Sequence, residues 1–127
     1  MAEEAKISNV VPFEEPVLSV EDMLAAPDVQ YKYVDARPLG WPGRVRIGSL
    51  TANDLIEWTE ANEGPAKRTA GLRLLIKSLV DKDGNRIGRS EHLEKFKQKS
   101  HKAVDAIVKE IIDFNGLVVV KKDAKND

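Results

Sequence analysis

Apolar residues recur along the chain with two different periods. Over 29–36 (VQYKYVDA) they alternate: Val29, Tyr31, Tyr33 and Asp35 fall on one side, and Gln30, Lys32, Val34 and Ala36 on the other. That is the period of a strand with one buried face. Over 43–48 (GRVRIG) the alternation returns, with Val45 and Ile47 turned inward and Arg44 and Arg46 outward. Between the two runs, Pro38, Gly40, Pro42 and Gly43 surround Trp41, and these residue types punctuate a turn. The pair reads as an antiparallel β-hairpin. Two strands alone are marginal in water, so the hairpin must pack on something else.

The remaining pattern is helical. Ser19-Val20-Glu21-Asp22 has the spacing of a capping box and opens a short helix that ends near Ala26, before Pro27. Thr51 with Asp54 opens a second helix, with Leu55 and Trp58 on one face and Leu50 placed to staple onto Leu55. Gly64-Pro65 closes it and starts a third over 65–80, in which Leu72, Leu75, Ile76, Leu79 and Val80 form one apolar stripe. Asp81–Asn85 (DKDGN) is a tight turn across which Val80 and Ile87 are placed to pair. Ser90, with Glu91 and Glu94, marks a short helix ending near Lys97. Ser100 opens a longer one, striped by Val104, Ile107, Val108, Ile111, Ile112 and Asn115 and closed by Gly116. Val118–Val120 reads as a short strand or packed extended end.

The expectation is therefore an α+β fold, predominantly α-helical, with four to five helices and a small antiparallel β-hairpin. It comprises a flexible acidic arm over 1–18, a single globular domain over 19–120 and a polar tail over 121–127.

Composition narrows the function classes. The 127 residues include no cysteine, which excludes a disulfide scaffold, a thiol nucleophile and a Cys-based metal centre. No apolar run approaches the roughly 20 residues a membrane helix needs. The acidic start, MAEEAKISNVVPFEEP, fits neither a secretory signal nor a transit peptide. The net charge of −1 conceals an asymmetry. Residues 1–30 hold seven carboxylates against Lys6 alone, a net of −6, and the rest carries +5. The basic excess concentrates in 86–102, in Arg86, Arg89, Lys95, Lys97, Lys99 and Lys102. A solvated surface, or one covered by the acidic arm, accounts for it. No aromatic platform or DNA-reading motif accompanies it, and the pI is about 6.1, which argues against nucleic acid as a partner.

The chain also lacks the spacing that chemistry needs. His92 and His101 are the two imidazoles, nine positions apart on separate predicted elements. Aligning Gly84 with the glycine of a calcium loop puts Leu79 at the first ligand position and Ser90 at the last, so DKDGNRIG is a turn. GPAKRTAG lacks the Gly-Lys-Ser/Thr ending of a phosphate loop. Serines, carboxylates and histidines show no nucleophile–base–orienter pattern. The chain reads as non-enzymatic, with no catalytic residue, cofactor or metal. Arg37, Arg44 and Arg46, near Trp41, form an outer strand face able to hold an anion or stack on the indole.

Four stretches carry a resemblance to a known family: VDARPLGWPGRVRIGSL (Val34–Leu50), then TANDLIEWTE, then RTAGLRLLIKSLVDKDGNRIG, then KSHKAVDAIVKEIIDFNGL. Their order and phrasing over roughly residues 30–117 resemble the tail assembly chaperones of siphovirus-type bacteriophages. That family has no invariant catalytic signature, so the likeness is one of pattern. It implies a non-enzymatic protein of the infected host cytoplasm that engages the tape-measure protein. It would keep that long helical chain soluble while the major tail protein polymerises around it, and would be absent from the finished virion. The partner-contact candidates are Trp41, Leu55 and Trp58, with Arg44 and Arg46. Self-association is left open. Two rival roles remain: a structural virion protein, such as a tail or head–tail connector subunit, and a small regulatory or nucleic-acid-binding module using 86–102.

Overall fold

The computed structural model describes residues 16–117. The expected apolar end at 118–120, the polar tail and most of the acidic arm lie outside the described residues. The order is helix α1 (Val20–Ala25), strand β1 (Tyr31–Asp35), strand β2 (Arg44–Gly48), helix α2 (Ala52–Ala61), helix α3 (Ala70–Ser78), strand β3 (Leu79–Val80), helix α4 (His92–Phe96) and helix α5 (His101–Phe114). The protein is α+β, with helices dominating and one three-stranded antiparallel sheet ordered β1-β2-β3.

Both capping boxes form. Ser19 Oγ accepts the Asp22 N–H at 3.1 Å and the Asp22 carboxylate accepts the Ser19 N–H at 3.2 Å. The Thr51–Asp54 pair does the same at 3.0 and 2.9 Å. Each reciprocal pair satisfies N–H groups that a helix start leaves free. At α5, Ser100 Oγ accepts the Ala103 N–H at 3.4 Å. Gly116, at φ +65°, closes that helix in the left-handed conformation glycine adopts without strain.

The hairpin register pairs Tyr31 with Gly48 and Asp35 with Arg44. Ile47 is wholly buried and Val45 half-buried, facing inward as the alternation predicts. The buried face of β1 is the one carrying Val34, with Ala36 buried just beyond it. Tyr31 and Tyr33 lie on the exposed face. Their rings are occupied there by arginines: the Arg44 guanidinium lies 4.0 Å from the Tyr33 ring centroid, and that of Arg46 lies 4.4 Å from the Tyr31 centroid.

Three expectations about 65–97 are corrected. The third helix does not run through 65–80. Gly64–Thr69 is a 3₁₀ segment, α3 stops at Ser78, and Leu79–Val80 continue as the third strand, with Val80 opposite Arg46 and Leu79 opposite Ile47. The free side of β2 needs ladder partners, and this satisfies it. Across the next turn Val80 faces Arg86 rather than Ile87, although the Ile87 N–H does donate to the Leu79 carbonyl at 3.1 Å. Ser90 does not cap α4. Glu91 occupies that position, and the nearby side-chain bond runs from the Arg89 N–H to His92 Nδ1 at 3.0 Å.

The core forms where α3 and α5 meet the inner face of the sheet. Leu74 and Leu75 from α3, Ile107, Val108 and Ile111 from α5, and Ile47 from β2 are buried together. Leu74, which the single-stripe reading omits, is as buried as Leu75, because α3 is covered on more than one side. Asn115 ties the end of α5 to the approach of α2. Its Oδ1 accepts the Leu50 N–H and its Nδ2 donates to the Ile111 carbonyl, both at 2.8 Å. Among the described residues, no helix is long and apolar enough to cross a membrane.

Candidate functional site

A groove of about 400 Å³ lies between α2, α3 and the connection leading into α4. Its floor is apolar: Trp58 and Ala61 from α2, Ile76 from α3 and Leu93 from α4. Its rim is charged, with Arg73, Lys77 and Arg86 against Glu57. The residues come together for local reasons. The capping box at Thr51 sets the start of α2, and successive turns then place Glu57, Trp58 and Ala61 along one side. The indole of Trp58 is held in place, its Nε1–H donating to the Ala70 carbonyl at 2.8 Å where α3 begins. The connection passes close against α3 at Gly88. A Cβ there would sit 2.0 Å from the Ile76 carbonyl oxygen, so only glycine lets the backbone close this wall.

Ion pairs brace the rim. Lys77 Nζ lies 2.9 Å from Glu57 Oε1, joining α3 to α2. Arg86 Nη2 lies 2.6 Å from Asp54 Oδ2, and Arg86 Nη1 also donates to the Lys77 carbonyl. The Lys77 bond, helped by Asn53, holds the Glu57 carboxyl below its usual value. Partial burial would raise the Asp54 carboxyl, but the Arg86 bond and the Thr51 N–H outweigh it and hold that group low as well. The result is an apolar trough between fixed charges. It suits an amphipathic helix or an extended apolar segment better than a small polar substrate.

Of the five sequence candidates, the groove contains Trp58. Leu55 is half-buried elsewhere on α2. Trp41 is half-buried against the core, and with Arg44, Phe96 and Lys99 it borders a separate shallow depression. Lys99 Nζ lies 6.0 Å from the Trp41 ring centroid. Arg37 is engaged by Asp35 at 2.9 Å. Arg46 donates to the Asp81 and Lys82 carbonyls at 3.1 and 2.8 Å. Ile76, Leu93, Arg73, Lys77 and Arg86 were missed as site residues. Their sequence signals, an apolar stripe and a charge run, are those of any core and any surface.

The motifs tested for chemistry have structural employment. Asp81 Oδ1 accepts the N–H groups of Asp83 and Asn85, both at 2.9 Å, so its carboxylate shapes the turn. Those bonds, Asn85 foremost, lower its pKa. GPAKRT is the 3₁₀ segment ahead of α3. Among the described residues, no three His, Asp or Glu side chains gather as metal ligands.

This arrangement, two core helices on a small sheet with further helices enclosing an apolar groove, is a tail-assembly-chaperone-like fold. Among solved structures, the tail assembly chaperone of bacteriophage HK97 superposes with a TM-score of 0.57 at 15% sequence identity, covering 78% of this chain and 95% of that one. No family model matches the chain. No curated protein matches it either.

Proposed function

We propose that this protein is a phage tail assembly chaperone that binds the tape-measure protein and keeps it soluble while the tail tube polymerises. The observation that carries the reading is the likeness in fold to the HK97 tail assembly chaperone, which extends over nearly the whole of that protein. The groove supports it. An apolar floor flanked by charges is what a holdase for an amphipathic helix requires, and the tape-measure segment would lay its apolar face on Trp58, Ile76 and Leu93. In this role the protein catalyses nothing. It acts in the host cytoplasm, through partner contacts alone, and leaves before the virion is complete. The basic 86–102 segment gives little support to nucleic-acid binding, because Arg86 is bound to Asp54 and Lys97 to Glu94.

Co-expression with the tape-measure protein tests the reading. The soluble fraction of that protein should rise sharply with this chain present. Equal insolubility with and without it would sink the proposal. Mass spectrometry of purified virions separates the rival role, since abundant copies in the particle would mark a structural subunit.

A further inference from the structure

Helix α1 has six residues and buries none of them. Val20, Met23 and Leu24 lie at i, i+3 and i+4, on one helical face, and are 63%, 53% and 81% exposed. Glu21 and Asp22 lie off that face. An isolated helix this short does not persist in water, and a capping box contributes only about 1 kcal/mol. A capped, striped helix of this length is built to fold against something.

The same chain offers a surface that fits. The groove between α2 and α3 has an apolar floor and a rim with a small basic excess: Arg73, Lys77 and Arg86 stand against Glu57, which pairs with Lys77, and Asp54, which pairs with Arg86. The segment 16–28 carries Glu21, Asp22 and Asp28 and no cation. The tether is short enough to favour this surface. Four residues, 26–29, join α1 to Gln30, which Ser49 holds beside β2 with bonds of 2.8 and 2.7 Å, a reach of about 17 Å. Tyr31 stands over the turn that leads to the groove, its hydroxyl 2.9 Å from where a Gly84 Cβ would be, and Arg86 of the rim follows two residues later. A tether this short gives an effective concentration on the order of millimolar, well above that of a second copy in solution.

We propose that α1 docks in the α2–α3 groove of its own chain, laying Val20, Met23 and Leu24 on the Trp58–Ile76–Leu93 floor as an internal stand-in for the client. The structure shows the open form, with α1 outside the groove. Resting on the client reading above, the docked form covers the apolar floor until a client displaces it. The affinity a client shows is then reduced by the fraction of molecules in which the groove is closed.

The absence of cysteine makes the test clean. A spin label on Ala25→Cys in the full-length chain is at a unique, exposed position. Docking predicts paramagnetic broadening of the amides of Trp58, Ile76 and Leu93 and of the Trp58 indole N–H. The broadening should be weaker at about 0.5 M salt, where exposed charges are screened, and absent in a Met23→Asp/Leu24→Asp variant carrying the same label. A mixture of spin-labelled and separately ¹⁵N-labelled chains should show none. Unbroadened groove resonances, or broadening that survives the double substitution, would overturn the proposal. Broadening in the mixed sample would overturn it too, by making a second copy the occupant. A second readout separates this idea from the client reading. Met23→Asp/Leu24→Asp should bind an amphipathic helical peptide, with one acidic and one apolar face, about tenfold more tightly. Intramolecular broadening with unchanged peptide affinity would keep the docked arm and remove the groove as the client's site.

Discussion

Arg86 reaches back across 32 positions to Asp54, its Nη2 2.6 Å from the carboxylate that also caps α2. One side chain thereby joins the start of α2, the end of α3 through the Lys77 carbonyl, and the connection to α4. Replacing it with a residue of similar length, Arg86→Met, should lower stability by about 1–2 kcal/mol, since the pair is charge-assisted but partly exposed. The folded Asp54 pKa lies below the 3.8 of an unperturbed group. Its contribution is therefore present above that pH and lost as pH falls through the lower folded value. Urea unfolding at neutral and acid pH should show the wild-type protein keeping its advantage over Arg86→Met until strongly acid conditions. An advantage independent of pH would remove the ion pair as its cause.

The Asp35 carboxyl is depressed from 3.8 to about 2 by the Arg37 side chain, by the Arg37 backbone N–H and by the attraction of the guanidinium. Titration by NMR should place its midpoint near that value, and Arg37→Ala should return it part of the way towards 3.8, because the backbone N–H at position 37 still donates to the carboxylate. The pair is exposed at the mouth of the hairpin, so neutral-pH stability should hardly change.

Ile107 has no exposed surface and sits at the centre of the core. Ile107→Ala should cost about 2–5 kcal/mol in denaturant unfolding. Ile56, on the outer side of α2 and 54% exposed, should cost less than about 0.5 kcal/mol when changed to Ala.

Gly88→Ala forces a Cβ to within 2.0 Å of the Ile76 carbonyl oxygen, where backbone must move. A loss of about 2–3 kcal/mol is expected. Gly43→Ala, with nothing within 4 Å of the added Cβ, is the control and should stay close to wild type in thermal melts.

Trp58→Asp places a charge on the groove floor, whereas Ile56→Asp places one on the opposite, exposed side of the same helix. In the co-expression assay the first should reduce soluble tape-measure protein severalfold and the second should not. A far-ultraviolet circular dichroism spectrum and a cooperative thermal transition resembling those of the wild type show that Trp58→Asp remains folded. Equal effects from both substitutions would displace the client from the groove.

What could be read from the sequence was local. Ser19 with Asp22, and Thr51 with Asp54, announce their helices because a capping box is complete within four residues. The α5 stripe is legible because Ile107, Val108 and Ile111 repeat at the helical period. The failures come from partners far away in the chain. Leu79 and Val80 extend the apolar spacing of α3 perfectly well, and it is the open side of β2, more than thirty positions earlier, that draws them into a sheet. The inward face of β1 was ambiguous because tyrosine serves a core or an arginine-lined surface equally. Arg44 and Arg46 decide it only after the register is set. The groove has no local signal at all. Trp58 was suspected because a tryptophan on a thinly apolar face is conspicuous, but its neighbours Ile76, Arg86 and Leu93 become a site only after three separate segments close around it.

The double anchorage of Asn115 also governs how the molecule ages. Asn115-Gly116 is the pairing most prone to deamidation, because glycine lets the following backbone nitrogen attack the side-chain amide and close a succinimide. Here that nitrogen is turned to the Asp113 carbonyl at 3.2 Å, and the amide is held at both ends by Leu50 and Ile111. Folding thus shields the bond chemically. A chain that unfolds for long enough would return with a carboxylate in place of the donor to Ile111, adding negative charge at the C-terminal end of α5, where the helix dipole disfavours it.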